Sequence, residues 1–74
     1  MATTWEERLC TEHTQLHARI FKLKRFMLGG DFTLVEPQQQ QLMRDQLEAM
    51  KMYEESLADQ IEMLEVDRFN EDMF

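Results

Sequence analysis

Apolar residues recur at helical spacing along two stretches of the chain. In residues 37–64 they fall at Met43, Leu47, Met50, Leu57, Ile61 and Leu64, with Glu54 at the step where one more apolar residue belongs. Steps of three, four or seven are the heptad pattern of a helix with one buried stripe. At about 1.5 Å of rise per residue this stretch makes a rod of about 42 Å, too long for a short partner to cover. A second stripe of the same kind reads Trp5, Leu9, His13, Leu16, Ile20, Leu23 and Met27. The two stripes are expected to pack against each other.

Terminal signals agree with that reading. Thr3 with Glu6, and Thr4 with Glu7, are overlapping capping boxes that satisfy the free amides of a first turn. The helix they open can run to Leu28, where Gly29 and Gly30 offer the positive φ that a helix C-terminus commonly uses. Thr33 and Glu36 are spaced as a further capping box, and Pro37 is tolerated in a first turn. Within the connection 29–36, Phe32 and Leu34 are expected to fold back over the open end of the pair. The glutamines at 38–41 read as a solvated first turn. Past Leu64 the stripe is lost and acid accumulates, so fraying is expected there, with Phe69 and Phe74 free to dock on a neighbouring subunit. The fold class is therefore all-α: one domain, an antiparallel two-helix hairpin with helices at about 4–28 and 37–66 and an acidic tail at 67–74.

A second line of residues on the first helix, rotated by one position, complicates this picture. Cys10, Thr14, His17, Phe21, Lys24 and Leu28 repeat at the same spacing. A two-helix hairpin buries one face of each helix, which leaves Phe21 and Leu28 in water. The second helix carries a similar surplus in Met52 and Met63, with small Ala49 and Ser56 beside them. Scattered exposed apolar residues are ordinary, but the regular spacing favours self-association into a helical bundle, with Cys10, His17, Phe21, Leu28, Met52 and Met63 at the interface.

Composition narrows the class. A chain of 74 residues with one cysteine cannot staple itself with an internal disulfide, and a lone core of this size supplies only about 3–5 kcal/mol. An oligomer is one remedy. The single Cys10 points to a reducing compartment. The first eight residues show no basic or apolar signal region, and no run of eighteen apolar residues occurs anywhere. A soluble protein of the cell interior, away from membranes, is expected.

The net charge of −7 is unevenly spread. Residues 1–30 carry five Lys/Arg against three Glu, whereas residues 31–74 carry three against twelve Asp/Glu. Such a surface mostly repels phosphate backbones, so general nucleic-acid binding is excluded.

Three groupings are candidates for chemistry. Cys10, His13 and His17 lie on one side of the first helix and are the residue types that bind zinc. Cys10 and His17 are separated by about 10 Å of helical rise, so one helix gives two ligands at most, and no metal site is assigned. Arg19, Lys22, Lys24 and Arg25 form a basic cluster near the end of the same helix. It can complement the helix dipole and an acidic second helix, or bind phosphates through side chains alone. Arg19 and Lys24 flank the apolar face on opposite sides; Lys22 and Arg25 point more outward. Trp5 and Tyr53 are flat rings that fit a core better than a base-stacking role, though either is open. No nucleophile–base set and no glycine-rich phosphate loop is present in the sequence. A non-catalytic binder without cofactors is expected.

The order Trp5-x-x-Arg8-Leu9-x-x-Glu12, Leu16, Lys22-Leu23-x-x-Phe26, Phe32, then Gln46-x-x-x-Met50-x-x-Tyr53-x-x-x-Leu57-x-x-x-Ile61 resembles a crAssphage-related family of small helical phage and prophage proteins over residues 5–64. The resemblance implies a phage accessory protein at work in the host cytoplasm, and by analogy a counter-defence role. Two classes then compete. A sponge would hold a phosphorylated cyclic nucleotide between subunits, with Arg19, Lys22, Lys24 or Arg25 on phosphate and Trp5 or Tyr53 on a base. An inhibitor would present Glu54, Glu55, Asp59, Glu62 and Glu65 to the basic groove of a host defence enzyme. A structural or regulatory scaffold is a weaker third class. The basic cluster and the self-association argument favour the sponge.

Overall fold

The computed structural model describes residues 4–73, with side chains described for residues 4–65. It contains helix α1 at Trp5–Leu28, a 3-10 turn at Gly30–Leu34 and helix α2 at Pro37–Met73. The two helices form an antiparallel hairpin, the architecture that the paired stripes predict.

Each helix starts and stops for a local reason. Thr4 is the N-cap of α1: its hydroxyl oxygen accepts from the Glu7 amide at 3.2 Å, and Glu6 and Glu7 lie in the first turn, where the dipole favours negative charge. Thr3, of the alternative capping box, lies outside the described residues. At the other end the expected left-handed glycine is absent. Gly29 is extended at φ −84° and ψ 164°, and no described glycine has a positive φ. The Gly29 amide instead donates to the Phe26 carbonyl at 3.1 Å, which tightens the last turn, and the Phe32 amide donates back to Gly29 at 3.3 Å to open the 3-10 turn. A chain that passes directly into a second short helix has no need of the left-handed residue.

The connection is tied down by one glutamine. Nε2 of Gln40 donates to the carbonyls of Phe32 and Val35, both at 2.9 Å. Gln40 is half-buried, so the expectation of a wholly solvated first turn is corrected at this position. Thr33 does not cap α2; its hydroxyl donates to the Gly30 carbonyl within the 3-10 turn. Phe32 folds inward as expected, meeting Phe26 edge-on with ring centroids 6.2 Å apart and the Arg44 guanidinium 5.6 Å from its centroid. Leu34 does not fold back: it is 83% exposed, because the short turn can aim only one of two residues two positions apart into the hairpin.

The core is a seam rather than a globule. Leu16, Ile20 and Leu57 are buried at its centre, with Leu9, Leu47 and Met50 packed around them. Along α2 the half-buried or buried positions are Gln40, Met43, Leu47, Met50, Glu54, Leu57, Ile61 and Leu64, the whole inner stripe in register. Helix α1 spans about 36 Å and α2 about 55 Å. The longer helix therefore runs past the start of the shorter and continues beyond the end expected near residue 66. The side chain of Phe69, and Phe74 as a whole, lie outside the described residues. The radius of gyration is 17.0 Å, with extents of 58 × 26 × 16 Å, against about 11 Å for a compact chain of this length. No described helix is long and apolar enough to cross a membrane.

Candidate functional site

The charged residue of the inner stripe marks the level at which the helices meet. Glu54 Oε2 lies 3.0 Å from Nδ1 of His17, joining the middle of α1 to the middle of α2. The His13 ring stacks on that of His17 at 6.5 Å between centroids and 18° between planes. Cys10 is a free, exposed thiol, and among the described residues no group of three or more His, Cys, Asp or Glu is placed to hold a metal ion.

With His17 opposite Glu54, Arg19 stands level with Tyr53. At about 100° of turn per residue, these two lie on the same long edge of the hairpin. Lys24 lies on the other edge, beside Phe21 and Leu28, while Lys22 and Arg25 face outward. All four cations are exposed. Their expected pairing with the acidic second helix is absent among the described residues. Arg19 meets Glu12 of its own helix at 3.9 Å, and Arg25 lies over the Phe21 ring at 6.0 Å from its centroid. The reason is positional: among the described side chains the inner stripe of α2 offers Glu54, already held by His17, while Glu55, Asp59 and Glu62 stand with Met52 and Met63 on the outer side.

The two flat rings do not fill the core. Trp5 is 62% exposed and Tyr53 48% exposed. Trp5 sits in the first turn of α1, at the end of the seam, and Tyr53 stands one position off the inner stripe. Fourteen residues separate Trp5 from Arg19, about 21 Å of helical rise. They cannot serve one small ligand within a single chain, whereas Arg19 and Tyr53 can.

The proposed interface residues fall on two separate surfaces. Cys10, His17, Phe21 and Leu28 line one edge of α1, and all four are exposed. Met52 and Met63 stand on the far side of α2, turned away from α1. There, with Ser56, Gln60, Glu55, Asp59 and Glu62, they form one open outer face. Every one of those residues belongs to α2. The sequence reads separately as an acidic surface and a methionine interface; their shared spacing along one helix is the signal that joins them.

The molecule is thus a minimal helical-hairpin protein, with one interhelical seam and its charge sorted onto different outer faces. The chain matches the family model described as Sequestin over residues 3–63, most of its length, and belongs to the Sequestin family. No curated protein and no solved structure matches it.

Proposed function

We propose that this chain is a non-catalytic sequestering protein that binds a phosphorylated cyclic nucleotide between subunits of a homo-oligomer. On this reading it is a phage counter-defence factor, related to the crAssphage-type small proteins, that removes an immune signal in the host cytoplasm. The family name, which denotes sequestration, agrees with this role. The observation that carries the ligand class is the state of the basic cluster. Lys22, Lys24 and Arg25 are exposed and make no described ion pair with α2, and Arg19 is held only by an exposed contact with Glu12. Such a surface pair contributes at most about 1 kcal/mol, so a phosphate can displace it. Tyr53, on the same edge as Arg19, supplies an exposed ring for a base. One hairpin leaves Arg19 and Tyr53 on an open edge, and a second copy closes it.

A charge-assisted phosphate contact is worth about 1.5–3 kcal/mol, or about 10- to 150-fold in affinity. Arg19→Ala and Lys24→Ala are expected to weaken binding by that factor, and Lys22→Ala, which points outward, by much less. Calorimetry against a panel of cyclic di- and trinucleotides measures this.

The acidic outer face of α2 favours a second reading, an inhibitor that offers Glu55, Asp59 and Glu62 to a basic groove. That reading expects no heat with any nucleotide. Activity would instead be lost when Glu54, Glu55, Asp59 and Glu62 are neutralised together.

A further inference from the structure

The two exposed stripes are complementary to each other and neither is complementary to itself. The edge of α1 presents Phe21 and Leu28, seven residues apart, with Lys24 on one side and Arg25, stacked over Phe21, on the other. Phe21 is 57% and Leu28 88% exposed. The outer face of α2 presents Met52 and Met63, bordered by Glu55, Asp59 and Glu62. Pairing either face with its own copy would set cations against cations or carboxylates against carboxylates, and like charges across an interface cost several kcal/mol. Pairing one with the other sets opposite charges together and buries the apolar residues of both. The shapes agree as well. Ala49 and Ser56 on the outer face are also seven residues apart, so side chains at the spacing of Phe21 and Leu28 meet one small residue before Met52 and one between Met52 and Met63. A standard interface takes about 800 Å² from each partner, about an eighth of the 6274 Å² that the chain exposes.

We infer that the α1 edge of one chain docks on the outer face of α2 of a second copy, so that each subunit offers two different surfaces to its neighbours. The contact is heterologous in kind: repeated from chain to chain it closes into a ring or grows. It rests on the self-association assumed for the sequestering function, and it makes Arg25 a partner of the neighbour's carboxylates.

Mixing variants of the full-length chain tests it. Phe21→Ser with Leu28→Ser disables only the α1 edge; Met52→Ser with Met63→Ser disables only the α2 face. Each double variant alone is expected to run as a monomer of 9.0 kDa by native mass spectrometry, with helicity by circular dichroism unchanged. An equimolar mixture is expected to give a species of twice that mass, since one intact edge then meets one intact face. Arg25→Glu should weaken association tenfold or more, and Glu55→Arg with Glu62→Arg in the same chain should restore it. Oligomers in either variant alone would overturn the pairing, because each face would then be pairing with itself. A wild-type oligomer whose disabled variants fail to recombine would overturn the pairing and leave the sequestering function standing. A wild-type chain that stays monomeric at millimolar concentration would overturn both, and would leave the acidic face to a basic partner of another kind.

Discussion

On the side of α2 turned toward α1, Leu57 is buried and Leu47, Met50, Ile61 and Leu64 are half-buried. On the opposite side, Ala49, Met52, Ser56, Asp59 and Met63 follow the same three-and-four spacing, yet Met52 and Met63 are about two-thirds exposed. Spacing is shared, so spacing alone cannot decide burial. The difference lies in what the chain itself can bring to each face. A turn of a few residues delivers α1 to one side only, and the side that receives it is the one with the larger branched side chains and the smaller share of charge. The other carries Met52 and Met63 between small residues and carboxylates, with no branched apolar side chain among them.

The largest expected contrast comes from truncating one residue on each side. Leu57→Ala should cost about 2–5 kcal/mol through lost burial and a cavity. That is most or all of the stability available to a single core of this size, so cooperative unfolding and much of the helical signal should be lost at 25 °C. Met52→Ala should change the stability of the monomer by no more than about 0.5 kcal/mol. Thermal melts followed by circular dichroism compare the two. Equal damage from both would mean that the outer stripe is part of the same folding unit.

A smaller effect is expected at the polar start of the inner stripe. Gln40→Ala removes two hydrogen bonds to the Phe32 and Val35 carbonyls and should cost about 1–2 kcal/mol. Gln41→Ala, next along the chain but outward, breaks only a surface contact with Asp45 at 3.0 Å and should cost a few tenths of a kcal/mol. Urea midpoints separate the two glutamines. If both substitutions cost the same, the Gln40 side chain does not hold the connection in solution.

Much of this is legible in the sequence. The inner stripes, the end of α1 at Leu28 and the start of α2 at Pro37 follow from periodicity and punctuation that act over a few residues. The glycines at 29–30 misled because the left-handed cap is their commonest use, while the choice between that cap and a 3-10 turn depends on where Phe32 must go. Gln40 was invisible as a clamp for the same reason: its carbonyl partners are brought to it by the turn. The basic cluster was legible as a cluster, and its freedom from α2 was not, since net charge by segment carries no direction. Glu54 was seen as a gap in the stripe, and only the register of the two helices shows His17 filling it.

The smallest effect, and the one that bears most directly on the contrast between the two faces, is at Glu54 itself. It is the charged member of the inner stripe, its side chain 28% exposed while that of His17 is 69% exposed. A contact this open to water contributes about 0.2–1 kcal/mol, whereas an apolar side chain at a mostly covered seam position gains about 1.5–3 kcal/mol when burial is complete. Glu54→Leu should therefore stabilise the hairpin by about 1 kcal/mol and raise its melting midpoint by about 4–8 °C. In that background His17→Ala should be close to neutral, because its partner is gone. Polar residues inside a heptad seam commonly fix register at a cost in stability, so the same change should also make the inner side of α2 better able to accept other helices. Native mass spectra of Glu54→Leu are then expected to broaden into several assemblies, a loss of the distinction between a face that folds the chain and a face left open. A destabilised Glu54→Leu would show instead that the His17 contact outweighs the apolar gain, and that the seam depends on it.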